Sequence, residues 1–270
     1  LRESLREEGA KGALIAFVST VAFFGLAAYL VFTSETWPKV RAQYFSWEDA
    51  KEVWPAIRDG FRLDLKMFVI AEILILAFSL LIAVIRSLRG PAFFPLRLLA
   101  VIYIDLFRGI PLYLVIILLG FGVPALRISG VPNDPVFWGV TALILSYCAY
   151  TSEVYRAGID SVHRSQTEAA RSLGLTQWQT LRFAVLPQAV RNVVPALLNG
   201  LVSLQKDVAL VGVLGVREAV READIYKAST FNYTGFVVAA GLFLLISVPL
   251  ARFTDWYTER DRTRRTRAAI

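Results

Sequence analysis

Between Lys11 and Glu35 the chain runs for 23 residues without a charge, and no other feature limits its fold as much. At about 1.5 Å per helical residue, such a stretch crosses the roughly 30 Å hydrocarbon core of a bilayer. It has companions. Residues 109–126 and 135–152 are charge-free for 18 positions each, 228–251 for 24, and 67–85 carry only Glu72. A weaker run from 192 to 214 is interrupted by Lys206 and Asp207. In hydrocarbon every backbone N–H and C=O must be satisfied within the segment, so these runs are read as helices. The expectation is an all-α integral membrane chain with six transmembrane helices, near 13–32, 64–86, 97–123, 136–158, 192–214 and 233–253. The third has a second reading, in which residues 92–107 lie in the interface and the span starts at Gly109. Composition agrees: 56% of residues are apolar and 19% charged, against roughly 45–50% and about 25% in soluble domains.

The formal charge of +7 resembles a nucleic-acid signal until the basic residues are placed on the chain. With the N-terminus inside, the inner segments hold 17 of the 29 Lys and Arg and the outer segments 10. Inner termini therefore fit the positive-inside bias, and no nucleic-acid partner is needed. The apolar run of the first segment exceeds the 7–15 residues usual for a signal peptide, so it reads as an uncleaved anchor. One cysteine, Cys148, excludes an internal disulfide, and with one histidine, His163, the common zinc sites are excluded too. His163 reads as a solvated loop residue. The arginines at 260, 262, 264, 265 and 267 read as an anchor to inner-leaflet lipid. In the first outer loop, Ser46 followed by Asp49 predicts a short interfacial helix with Trp47, Ala50 and Trp54 on one face.

The most informative stretch is the inner loop from Ser165 to Pro187. Ser165 to Glu168 has capping-box spacing, as does Thr176 to Gln179. Gly174 stands where a helix stop needs a left-handed residue, and Pro187 lacks a donor N–H. The spacing predicts two short helices across a tight turn, with Ala169, Ala170 and Leu173 along one face of the first and Trp178, Leu181 and Val185 along one face of the second. Two readings stay open. The hairpin packs on its own bundle, or its small residues admit a partner's close approach.

These residues carry a resemblance. Glu168-Ala169-Ala170, Gly174 and Ala184-Val185-Leu186-Pro187 are similar in identity and spacing to the cytoplasmic "EAA" loop of ABC importer permeases. Ala184 departs from the usual isoleucine. Over about residues 60–255 the chain resembles the polar amino acid subfamily. Phe107-Arg108-Gly109-Ile110-Pro111-Leu112, Tyr150-Thr151-Ser152-Glu153-Val154-Tyr155-Arg156 and Lys206-Asp207-Val208-Ala209-Leu210 look like its characteristic runs. Ser165 replaces a common glycine, and Val208-Ala209 a Thr-Ser pair. The resemblance implies a five-helix permease core over 61–270, with 1–60 an added anchor helix and outer loop in a bacterial inner (plasma) membrane. It also implies a second permease subunit, a binding protein outside, and an ABC ATPase docking at Glu168, Ala169, Ala170, Gly174, Trp178, Leu186 and Pro187. The sequence has no Gly-x-x-x-x-Gly-Lys-Ser/Thr phosphate loop, so ATP and Mg are expected on the ATPase, with no cofactor and no catalysis in this chain.

Seven ionisable residues fall at membrane depth: Glu72, Asp105, Arg108, Glu153, Arg156, Lys206 and Asp207. Each costs about 2.5–3.5 kcal/mol at a helix centre and must face protein or a wet pathway. One reading pairs them locally: Asp105 with Arg108, Glu153 with Arg156, and Asp207 with Lys206. The other is a midplane site for a zwitterion, with Arg108 and Lys206 for its carboxylate, Glu153 for its ammonium, and Asp207 supporting Lys206. Gly109 and Pro111 break the helix beside it and free backbone groups. A polar amino acid importer accounts for both the loop and the charges. A secondary transporter or channel explains the charges alone, and a membrane enzyme lacks a metal cluster or nucleophile–base pair.

Overall fold

The computed structural model describes residues 2–88 and 90–268, and the side chains of 12–88, 90–176, 178–180 and 182–261. Helix α1, Arg2–Phe32, is apolar all round from Gly12 and buries none of that surface within the chain. A helix of that kind faces lipid. A tight turn leads into α2, Trp37–Tyr44, where Pro38 occupies the first turn and needs no donor. Ser46 then caps α3, Trp47–Ser87, its Oγ accepting from the Asp49 N–H at 3.3 Å.

The predicted short interfacial helix and the second span are one element. Pro55 removes one hydrogen bond but does not end α3, because Val53, Ile57 and Phe61 on either side of it are buried. The helix is 41 residues long, about 62 Å. That is twice a bilayer core, so one end of α3 stands clear of the membrane.

The third span is bent. Helix α4, Phe94–Gly109, is followed by α5, Leu112–Ile117, and the segments Pro91–Gly109 and Leu112–Ala125 to which they belong meet at 104°. The predicted continuous helix over 97–123 fails at Ile110, which Pro111 forces into an extended conformation (φ −100°, ψ 131°). The chain continues from α5 through a wide turn, Leu118–Gly122, and a last helical turn α6, Val123–Ala125. A bend this sharp sets α4 across α5, as a broken span or a re-entrant loop would have it.

Asp134 caps α7, Pro135–Asp160, accepting from the Val136 N–H at 3.0 Å. Then come α8, Arg164–Ser172, and α9, Gln177–Thr180, which opens into a wide turn, Leu181–Val185. Helix α10, Leu186–Asp207, continues as a tighter coil over Val208–Leu214 and stops at the left-handed Gly215. Helices α11, Ala219–Thr230, and α12, Thr234–Ala268, complete the chain.

Among the described residues, four segments are long and apolar enough to cross a membrane: Gly12–Phe32, Trp37–Ser87, Trp178–Leu214 and Thr234–Asp261. Counting the bent pair makes five. Helix α7 corresponds to the remaining predicted span. Its 26 residues suffice in length, and it is less apolar because it is enclosed by α3, α4, α5 and α10. The class is all-α, with no strand among the described residues.

Between membrane helices, close packing replaces the hydrophobic drive, and small residues permit it. Gly139 and Gly158 of α7 lie against Val211 and Val193, and Gly120 lies against Leu214. Around α7, the side chains Met67, Ile75, Ile116, Leu143, Leu204 and Val211 form the main core. A second core joins Val53, Ile57 and Phe61 of α3 to Ala219 and Ala223 of α11 and Ala239 of α12. These contacts put α2, the start of α3 and α11 at one end of the bundle. The opposite end carries α8, α9 and the close of α3 and α7.

Candidate translocation cavity and coupling loop

Helices α3, α7 and α10 do not close completely on one another. They leave a cavity of about 370 Å³, within the roughly 300–1,000 Å³ of small-ligand sites. Its walls are apolar at Leu76, Leu112 and Leu197, and polar at Glu72, Ser146, Tyr147, Tyr150, Thr151, Ser203 and Asp207. Tyr147 donates its hydroxyl to Asp207 Oδ2 at 2.7 Å, fixing that carboxylate across the α7–α10 gap. Ser146 is 2% exposed, and its Oγ has no hydrogen-bond partner among the described residues. A hydroxyl left unpaired costs roughly 1–3 kcal/mol, which a bound polar group would recover. The Tyr150 hydroxyl donates to the Arg108 carbonyl at 3.2 Å, using a backbone acceptor freed where α4 stops.

The four residues expected on the substrate pathway separate here. Asp207 lines the cavity; Arg108, Glu153 and Lys206 are not among its walls. Glu153, with an 18% exposed side chain, is instead the hub of an arginine cluster nearer the α8 end. It pairs with Arg86 of α3, with Arg156 at 2.7 Å, and with Arg108 of α4 at 4.0 Å. One carboxylate thus ties three helices, and Arg156 reaches on to Asp160 at 2.9 Å. Arg108 also places its guanidinium 5.6 Å from the Tyr150 ring centroid.

Of the three local pairs, only Glu153 with Arg156 forms. Among the described residues Asp105 makes no ion pair with Arg108. Asp207 turns to Tyr147, and Lys206 is exposed and makes no ion pair among the described residues.

At the loop, α8 ends as a helix stop requires. Gly174 has φ +82°, the Gly174 N–H donates to Arg171 O at 2.9 Å, and the Leu175 N–H to Ala170 O at 3.3 Å. Thr176 and Gln179 form the expected reciprocal capping box, at 2.8 and 3.3 Å. The box at Ser165 does not form. His163 caps α8 instead, its Nδ1 accepting from the Ser165 N–H at 3.2 Å, while Glu168 pairs with Arg164 at 3.4 Å.

Pro187 starts a helix rather than ending one, so the second short helix does not stop before α10. The wide turn at Leu181–Val185 relaxes the steric clash of its ring, and the chain passes into α10 with Leu186 and Pro187 in its first turn. Ala170 is buried and Ala169 exposed, while Leu173 and Trp178 are 83% and 67% exposed. Two large apolar side chains therefore flank the turn, uncovered within this chain. Leu181 and the arginines at 262, 264, 265 and 267 lie outside the residues whose side chains are described.

Sequence reasoning passed over the far end. Asp64 of α3, 1% exposed, accepts from the Ala219 N–H at 3.2 Å. Glu218 caps α11 by accepting from Val220 N at 2.7 Å and Arg221 N at 2.6 Å. Burial pushes the Glu218 carboxyl up to about 7, against the pull of those two N–H donors. Nearby, Tyr226 donates to Asp49 at 2.5 Å, and Asn232 to Asp49 and to the Ala42 carbonyl, both at 3.0 Å. The segment that precedes α3 is thus sewn to the α11–α12 corner.

A largely apolar cavity carrying a few polar groups, in a helical bundle with an exposed helical loop at one end, fits a membrane transport subunit. The chain belongs to the family of binding-protein-dependent transport system inner membrane components, which it matches over residues 91–262. It is 34% identical over 207 residues to the arginine transport system permease protein ArtQ of Bacillus subtilis, covering 76% of this chain and 92% of that one. It is 36% identical over 192 residues to a putative glutamine transport system permease protein, GlnP, of Rickettsia felis, covering 70% and 86%. Among solved structures, an amino acid ABC transporter crystallised with histidines matches with a TM-score of 0.71 and 29% identity, over 80% of this chain and 98% of that one. The inward-facing MetNI methionine ABC transporter, at 16% identity and a TM-score of 0.61, shares the fold.

Proposed function

We propose that this chain forms the translocation pathway of an ABC importer for polar amino acids, as a permease subunit with no bond chemistry of its own. The observation that carries this is the cavity between α3, α7 and α10, with Glu72, Tyr147 and Asp207 in its walls, in a family of transport components whose relatives are named for arginine and for glutamine. In the bilayer of a bacterial inner membrane, the end with α8 and α9 faces the cytoplasm, as the distribution of Lys and Arg favours. Leu173 and Trp178 then supply the apolar anchors for an ATPase subunit, which holds ATP and Mg. A binding protein delivers substrate to the α2–α11 end, and a second permease subunit completes the pathway. Closure of the ATPase pair draws the two coupling loops together, and each loop pulls directly on α10, because no break separates them.

The test uses the complete importer in proteoliposomes. Uptake of a polar amino acid should require nucleotide hydrolysis, and uptake that runs equally well without nucleotide would make the chain a secondary transporter. Gly174→Val places a β-branched residue at φ +82°, a strain of about 1–2 kcal/mol. This variant should still insert and assemble, yet lose most uptake per ATP hydrolysed. Normal coupling in it would remove the loop from the mechanism.

A further inference from the structure

The cavity holds two carboxylates and no cation. Glu72 of α3 and Asp207 of α10 are both among its walls, and no Lys, Arg or His is. Arg108, behind Tyr150, is turned to the Glu153 cluster. The acids differ in how they are held. Tyr147 fixes Asp207 in place, whereas Glu72 makes no hydrogen bond or ion pair among the described residues. Glu72 is half-buried, within the apolar part of a spanning helix, where an uncompensated carboxylate is costly.

A zwitterion with a neutral side chain brings one ammonium and so satisfies one of these acids, leaving the other facing its own carboxylate. An acidic side chain adds a third negative charge. A second cation on the substrate removes the conflict. We infer that the cavity selects amino acids with a cationic side chain, Asp207 taking the α-ammonium and Glu72 the guanidinium or side-chain ammonium. The unpartnered Ser146 hydroxyl, with Thr151, is left to donate to the α-carboxylate. Glu72 is then the specificity-determining residue. This rests on the transport reading above and adds the substrate class to it.

The experiment compares arginine with citrulline, which has the same length and shape but an uncharged ureido group. The permease–ATPase complex in lipid nanodiscs, without binding protein, is titrated with arginine, lysine, citrulline, glutamine and glutamate. Arginine and lysine should bind roughly tenfold or more tightly than citrulline, the factor expected of a hydrogen-bonded charge pair in a shielded site. Glu72→Gln, which conserves size, should bring the arginine-to-citrulline ratio to within about twofold, while Asp207→Asn should weaken both ligands.

Equal binding of arginine and citrulline by the wild-type complex would overturn the inference, as would a Glu72→Gln variant that keeps the preference. The first comparison needs no variant to fold. A complex that binds citrulline or glutamine as well as arginine leaves the transport reading standing and removes only this one. A complex that neither binds nor moves any of these amino acids overturns both.

Discussion

Glu218 combines two roles that conflict as pH changes. Its carboxylate caps α11, yet burial raises its protonation to about pH 7 from an ordinary 4.5. Between those values the folded chain holds a proton that the unfolded chain has released. Stability at this end therefore falls as pH rises from about 4.5 to 7, and changes little beyond. Amide exchange over residues 216–226, corrected for its intrinsic pH dependence, should show more protection at pH 5.5 than at pH 8. Glu218→Gln should flatten the difference, and equal protection at both pH values in the wild type would show an ordinary carboxyl. Residues such as this are the ones a sequence conceals. Asp64 and Glu218 gave no signal of their own, because nothing in a linear chain shows that α3 and α11 bury them together. Thr176 and Gln179 were legible because both partners of that box lie within one turn.

At the scale of elements, the spans were legible from the charge-free windows, and the break of the third from Gly109 and Pro111. Continuity was not legible. The buried flanks Val53, Ile57 and Phe61 carry α3 past Pro55, a stop signal by local rules, whereas Pro187 stands in the first turn of α10, where its missing N–H is tolerated. What holds α3 to α11 is backbone proximity. A Cβ on Gly60 would lie 2.6 Å from the Glu218 carbonyl carbon and 2.7 Å from the Ala219 nitrogen. Backbone cannot step aside as a side chain can. Gly60→Ala should push α11 off α3, stretch the Ala219-to-Asp64 hydrogen bond, and cost about 1–3 kcal/mol. Thermal unfolding in detergent checks this against Gly241→Ala in α12, where an added methyl meets nothing within 4 Å. Gly241→Ala should be neutral or slightly stabilising, as alanine is in a helix. A Gly60→Ala protein melting with the wild type would mean that α11 is held by other contacts.

The whole molecule has a direction that the bundle alone does not set. Helices α3, α7 and α12 run one way and α10 the other, so α2 and α11 share one face of the membrane and α8 and α9 the other. The proposed orientation, with α8 and α9 inside, rests on charge: 17 of 29 basic residues fall on the segments placed inside with them. The length of α3 adds an argument from geometry. Its surplus of about 30 Å beyond the bilayer core emerges at the α2–α11 end, where it builds a platform rather than a loop. Single cysteines read this orientation, in a Cys148→Ala background that removes the one native thiol, itself buried. Lys39→Cys in α2 and Arg164→Cys in α8 are both at exposed positions outside the cores. In intact cells an impermeant maleimide should label the cysteine at 39 and spare the one at 164, and permeabilising the cells should expose both. Labelling at 164 alone in intact cells would invert the molecule. It would put the exposed Leu173 and Trp178 outside, beyond the reach of any cytoplasmic ATPase, and end the coupling argument with the topology.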